Sequence, residues 1–171
     1  MNAKCAWCGD ELKERPGTMN GAGLVSHGIC ESCRRTFFSR SLGELDLFLD
    51  TLAVPVLVLD GDATVSYANR AARTLLGKDL PEIRGFKNGQ VFECINARLP
   101  GGCGKTDQCP GCLLRRTVEE TYATGGRREN VSTLVTRFLG GRRQTVRMLV
   151  STEKIENVVL LRIDASHSTR P

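Results

Sequence analysis

The cysteines constrain this chain more than any other feature. Eight occur in 171 residues, and they fall into two groups of four. Cys5, Cys8, Cys30 and Cys33 form the first group, and Cys94, Cys103, Cys109 and Cys112 the second. The 60 residues between Cys33 and Cys94 contain none. The opening stretch MNAKCAWCGDELKERP has no apolar segment of the secretory type. No apolar run approaches the roughly 18 residues of a membrane span. The expected setting is therefore the cytoplasm. There thiols stay reduced, and clustered cysteines serve as metal ligands or redox groups more often than as disulfides. Two sets of four imply two separate sites.

Residues 1–40 have few apolar side chains. A segment that short needs a metal, a disulfide or a partner to hold a fold. Cys5-x2-Cys8 and Cys30-x2-Cys33 supply two CxxC pairs, and a CxxC turn presents two sulfurs to one ion. The 21 residues between the pairs lie just beyond the usual zinc-ribbon interval. Zn2+ is the expected occupant. Gly9 permits a tight turn after the first pair. His27 is expected not to be a ligand, because four cysteines already fill the coordination shell.

From residue 41 the chain reads as one folded domain. Ser41-Leu-Gly-Glu44 has the form of a capping box, and Leu42, Leu45, Leu49 and Leu52 recur at helical spacing. The spacing predicts a helix from Ser41 to Leu52, closed by Pro55. Val56–Leu59 and Thr64–Tyr67, separated by Asp60-Gly61-Asp62, read as a β-hairpin. Asn69 caps a second predicted helix, Arg70–Leu76, with Gly77 at its end. Leu114, Val118, Thr121 and Tyr122 share one face of a helix Leu113–Thr124 ended by Gly125-Gly126. Three β-rich runs follow: Val131–Phe138, a second around Val146–Val150 and a third around Val159–Ile163. They are joined at Gly140-Gly141 and over Glu153–Asn157, and are expected to pair antiparallel.

This order, together with the text LFLDTLAVPVLVLDGDATVSYANRAARTLLG and the ending LLRIDAS, resembles a PAS domain over about residues 41–165. The resemblance implies an α+β fold: a PAS-like five-stranded antiparallel sheet with flanking helices and a pocket between sheet and helices. Asn69 matches the asparagine common after the second strand of that family, a position at the pocket as well as a cap. The N-terminal text CAWCGDEL…SHGICESC resembles a small cysteine module with a "SHGIC..C" ending, found beside PAS domains, histidine kinases and receiver domains in bacteria. The expected organisation is a four-cysteine zinc module at 1–40, a PAS domain at 41–165 with a cysteine-rich insertion at 94–112, and a polar tail at 166–171.

The second cysteine set has intervals of 8, 5 and 2 residues. It falls where a PAS domain builds its cofactor-side loops. Cys112 is expected at the start of the helix Leu113–Thr124, where a helix N-terminus favours thiolate. Gly101, Gly102, Gly104 and Gly111 let the backbone bend closely around a site. The loop has little apolar content, so something else must order it. Four readings stand: Zn2+ in a tetrathiolate site, a [4Fe–4S] cluster, a reversible disulfide, or four buried thiols with no chemistry. Cys109-Pro110 is similar to the cysteine-proline ending of ferredoxin motifs. Some PAS sensors hold an iron–sulfur cluster through four cysteines, which the resemblance brings into play here.

Other chemistry finds little support. GGCGKT at 101–106 ends like a nucleotide loop but is too short and follows no strand. His27 and His167 have no triad partners in view, so no enzyme is expected. The net charge of +5 is spread in pairs such as Arg115-Arg116 and Arg142-Arg143. That spread suits a solvated surface better than a nucleic-acid face. No kinase, receiver or helix-turn-helix segment follows in this sequence. The expectation is a stand-alone bacterial PAS-type sensory or adaptor protein in signal transduction. Its partner would be a histidine kinase or a second copy of itself. The alternative is a zinc-module protein that binds nucleic acid or a transcription complex and uses PAS as scaffold.

Overall fold

The computed structural model describes residues 3–5, 8, 10–12, 27–28, 30, 32–33, 42–139 and 141–169. The chain divides into two compact units, Met1–Phe48 and Leu49–Pro171. In the first, β1 (Ala3–Cys5) pairs antiparallel with β2 (Glu11–Leu12) and parallel with β3 (His27–Gly28). The Cys5 N–H donates to the Asp10 carbonyl at 2.7 Å, closing the turn that carries Cys8. The capping box from Ser41, the turn role of Gly9 and the side chain of His27 lie outside the described residues. A helix does run over Leu42–Asp50, stopping two residues short of Leu52.

The second unit is a five-stranded antiparallel sheet. Its strands are β4 (Val56–Leu59), β5 (Val65–Ala68), β6 (Arg128–Leu139), β7 (Arg142–Ile155) and β8 (Val158–Thr169), in spatial order β5-β4-β8-β7-β6. All four side chains of β4 are buried, which is why it reads as an unbroken apolar run and not as an alternation. Leu57 and Leu59 join Val135, Met148, Val150, Leu161 and Ile163 in one core, closed by Ala72, Ile83, Val91, Leu114 and Val118 from the helical side. Burying each of the larger side chains contributes about 1.5–3 kcal/mol. The helix Leu113–Thr124 turns Leu114, Thr117, Val118 and Thr121 inward. Thr121 and Thr152 hydroxyls meet at 2.7 Å, tying that helix to β7.

Two expectations need correcting. Residues 166–169 do not form a tail; they continue β8, with Ser166 opposite Met148 and His167 opposite Arg147. The long β7 offers them backbone partners. The connection between the last two strands is also shorter than Glu153–Asn157. Strand β7 runs on to Ile155, and the reversal is Glu156-Asn157, with Glu156 at φ 50° in the left-handed region. No glycine marks that turn, so the usual signal for a two-residue hairpin is missing.

Candidate metal and thiol sites

In the first unit the small sheet brings both CxxC pairs together. The sulfurs of Cys5, Cys8, Cys30 and Cys33 all lie within 4.8 Å of one another. Cys8 Sγ and Cys30 Sγ are 3.6 Å apart. Four thiolates around one ion at bonds of about 2.3 Å would be separated by about 3.8 Å, so little contraction is required. Backbone donors already serve the sulfurs: the Cys30 N–H reaches Cys5 Sγ at 3.2 Å and the Cys33 N–H reaches Cys30 Sγ at 3.3 Å. Crowding disfavours ionisation when no cation is present. Burial, then the neighbouring sulfurs, pushes the Cys33 thiol well above its usual range. At Cys8 a backbone bond near Asp10 pulls the thiol down, but desolvation, the Asp10 carboxylate and the other sulfurs outweigh it and push it up to about 11. A borderline dication supplies the missing positive charge, and this donor set fits Zn2+.

The second set is arranged differently. Cys94, Cys103, Cys109 and Cys112 are all buried or half-buried in the second unit. Cys112 feels the charges of the other three. Among the described residues, the group of sulfurs gathered closely enough to hold one ion is the N-terminal set. Cys109 has the most developed surroundings. Its sulfur accepts the Gly104 N–H at 3.2 Å and lies 3.0 Å from Thr106 Oγ1. Gly104 is at φ 88°, a conformation that aims its N–H at the sulfur and that a side chain would resist. Burial raises the Cys109 thiol, but the Thr106 hydroxyl and backbone, the Gly104 N–H and the Arg115 charge together bring it below its usual range.

Cys112 does cap the helix Leu113–Thr124, as the sequence suggests. The expectation that this makes it the favoured thiolate is reversed. Burial pushes its thiol up, the backbone at Arg115 offsets only part of that, and the other three cysteines add to it. Cys103 Sγ donates to Asn88 Oδ1 at 3.4 Å. Cys94 follows Glu93, which is at φ 59°, and its N–H bonds the Gly89 carbonyl at 2.7 Å. Cys94 and Cys112 both pack on the apolar core.

Three neighbours of this set escape a reading of the sequence. Thr106 is one. Asn88 is only 1% exposed, and its Nδ2 has no hydrogen-bond partner. Arg115 pairs with the Asp62 carboxylate and with Glu119 at 2.6 Å, and faces the Cys103 sulfur, yet its Nη1 is buried without a partner. Two glycines make room for these groups. A Cβ at Gly89 would stand 2.6 Å from Cys103 Sγ, and one at Gly104 would stand 2.5 Å from Arg115 Nη1. Gly89 beside Asn88 was the available signal. Arg115 was hidden because it reads as half of a surface pair with Arg116.

Asn69 is buried and fully used by the fold. Its Oδ1 accepts from the N–H of Val56 and of Ala72, both at 2.9 Å. Its Nδ2 donates to the carbonyls of Leu49 at 3.0 Å and Val54 at 2.9 Å. It is a cap, as expected, and no hydrogen-bonding capacity remains for a ligand. Two open clefts flank the helix Arg70–Leu76, one lined by Leu52, Ala53, Pro55, Ala71 and Leu75, the other by Arg73, Lys78, Asp79 and Glu82.

Residues 43–87 match the family model of the PAS fold. Comparison with curated proteins gives no match. Among solved structures, the PAS domain of an HTR-like protein from Haloarcula marismortui is similar at 18% identity and a TM-score of 0.42, over 81% of this chain and 100% of that one. The PAS domain of nitrogen regulation protein NR(II) from Vibrio parahaemolyticus is similar at 20% identity and a TM-score of 0.42, over 72% and 97%. A domain of a sensory box sensor histidine kinase/response regulator from Geobacter sulfurreducens is similar at 12% identity and a TM-score of 0.49, over 77% and 96%. These likenesses carry nothing about ligand or signal. The family match covers all but the first residue of the helix Leu42–Asp50, the first hairpin and the helix Arg70–Leu76. Together with the five-stranded antiparallel sheet and its flanking helices, it supports a PAS domain in the second unit. PAS domains are sensory domains of signal transduction. Among the described residues no helix is long and apolar enough to cross a membrane.

Proposed function

We propose that this chain is a sensory or adaptor module of bacterial signal transduction, not an enzyme. Its input is the cysteine set Cys94, Cys103, Cys109 and Cys112, responding to metal or redox state. The first set holds Zn2+ as a structural ion. A histidine kinase or a second copy of the chain receives the output in the cytoplasm. The observation that carries this reading is the surroundings of Cys109. A buried thiol that only fills space has no need of a backbone N–H, a hydroxyl and a nearby guanidinium charge; a reactive or ligating thiolate does. The same loop leads directly into the helix Leu113–Thr124, which packs on β6 and β7. A change at the sulfurs therefore has a rigid element to move.

The test compares hydrogen exchange and self-association of the full chain in two states, reduced and metal-replete against oxidised or chelated. Faster exchange confined to residues 94–124 and the adjoining strands, with altered self-association or altered activity of an added kinase, is expected. Identical exchange in the two states would refute the cysteine set as input. Salt-dependent binding to DNA or RNA, with the steep slope of counterion release and no response to cysteine state, would favour the nucleic-acid alternative instead.

A further inference from the structure

We propose that Arg115 is a positioning residue that couples the second cysteine set to the turn of the first hairpin, its guanidinium being shared between the sulfurs and the Asp62 carboxylate. This rests on reading that set as the sensory input.

Arg115 stands in the first turn of the helix Leu113–Thr124 and reaches both places from there. Its Nη2 pairs with the Asp62 carboxylate, in the turn between β4 and β5, and its Nε pairs with Glu119 at 2.6 Å. On the sulfur side the guanidinium faces Cys103, and its charge acts on Cys109. Gly104 leaves room for it, since a Cβ there would stand 2.5 Å from Nη1. Nη1 is buried without a hydrogen-bond partner, and the whole side chain is 13% exposed. Burying a cation is costly unless it is paired. This one is paired at one end only.

A guanidinium is a rigid planar fork. Its two ends cannot move independently, so a closer contact of Nη1 with the cysteine loop loosens Nη2 from Asp62. Protonated thiols and disulfides offer Nη1 no negative charge. Thiolates holding an ion do, because the ligands must be deprotonated and four of them outweigh a dication. Charged sulfurs therefore draw Arg115 to the loop, and neutral ones return it to the carboxylate. The turn can register this. Asp60 Oδ1 accepts from the N–H of Asp62 at 2.9 Å and of Thr64 at 2.8 Å. Lys87 also pairs with the Asp62 carboxylate and donates to Thr64 Oγ1 at 2.9 Å. When Arg115 lets go, the turn keeps Lys87 but loses one of two cationic contacts. The Asp62 side chain is 65% exposed, so its charge is then presented to a partner.

The experiment follows hydrogen exchange of the full chain at neutral pH in two states. One is purified without oxygen and supplemented with Zn2+. The other is chelated and treated with diamide, which takes two hydrogens from a thiol pair and leaves a disulfide. From the first state to the second, exchange is expected to rise over residues 94–124. At the amides of Asp62 and Thr64 it is expected to fall by up to about fivefold, the scale of an ion pair with an exposed carboxylate. The opposite signs identify the coupling, because a general loosening of the domain would raise both. Arg115→Gln and Asp62→Asn are expected to abolish the response at the turn while keeping that over 94–124. Arg115→Lys is expected to restore part of it, and Arg116→Gln to leave both responses intact. Arg115→Gln alters a largely buried group and can disturb folding, so the exposed Asp62→Asn decides independently. A response over 94–124 with none, or one of the same sign, at the turn would overturn the coupling and leave the cysteine set as input. A turn response that persists in Asp62→Asn or in Arg115→Gln would overturn the role of Arg115. No response over 94–124 in the wild type would overturn the coupling and the sensory reading together.

Discussion

Replacing Asn69 by alanine is expected to destabilise the second unit by about 4 kcal/mol, at about 1 kcal/mol net for each hydrogen bond removed. The side chain makes four, to the N–H groups of Val56 and Ala72 and to the carbonyls of Leu49 and Val54. Alanine replaces none of them, and the site is fully buried, so water cannot substitute readily. The bonds join the end of the first helix, the strand β4 and the start of the helix Arg70–Leu76. Their loss therefore loosens several elements at once. A domain of this size has about 5–15 kcal/mol of stability in total, so the variant should fold but only marginally. Urea unfolding of the full chain, followed by far-UV circular dichroism under reducing conditions, measures the effect. With a slope of about 2 kcal/mol per molar urea the midpoint should fall by about 2 M. Asn69→Ser restores an acceptor to the Ala72 N–H and should recover about 1 kcal/mol. A midpoint lowered by less than about 0.5 M in the alanine variant would refute the reasoning, because it would mean that the four bonds add little over solvation.

Chelation of the first set should remove one zinc per chain and change the fluorescence of Trp7, the sole tryptophan, which lies between Cys5 and Cys8 in sequence. The circular dichroism of the second unit should not change; a cooperative loss of both would count against separate units. Gly89→Ala would bring a methyl to 2.6 Å from Cys103 Sγ, so that side chain should be displaced and Cys103 should react faster with a thiol reagent; a wild-type reaction rate would contradict the close approach. Leu161→Ala removes a fully buried core side chain and should cost about 2–5 kcal/mol in the same urea assay. Asp62 is held below the ordinary carboxylate range by Lys87 and then Arg115. Its stabilising contribution is therefore complete above the unfolded carboxylate range and is lost as pH falls through its own lower value. The side chain is 65% exposed, so solvent screening limits the contribution to at most about 1 kcal/mol. The stability difference between wild type and Asp62→Asn should shrink on acidification, and a difference that grows would reverse the sign of this argument.

What the sequence made legible is what depends on neighbours in the chain. The hairpin at Asp60–Asp62, the cap at Asn69 and the left-handed ends at Gly77 and Gly125 are local events, and each stands where its residues imply. The two CxxC pairs were legible for the same reason, because a CxxC turn brings its own sulfurs together. The reversal at Glu156-Asn157 was not, since strand pairing over the length of β7 and β8 imposes a positive φ that no glycine announces. Thiol character was not legible either. The helix N-terminus at Cys112 is a local cue and favours thiolate, but burial is a property of the whole core and overrides it. Cys109 gains its cradle from Gly104 and Thr106 in its own loop and from a charge on the following helix. Arg115 and Arg116 show the limit most clearly. They are adjacent and identical in sequence, and each forms an ion pair with the acid four residues on. Helical phase turns Arg116 to solvent, with 55% of its side chain exposed, and Arg115 toward Asp62 and Cys103, with 13% exposed. Charge pattern alone assigns both to the surface. Only the fold makes one of them a neighbour of the sulfurs, and a substitution at Arg115 should therefore be felt at the cysteine set while the same substitution at Arg116 is not.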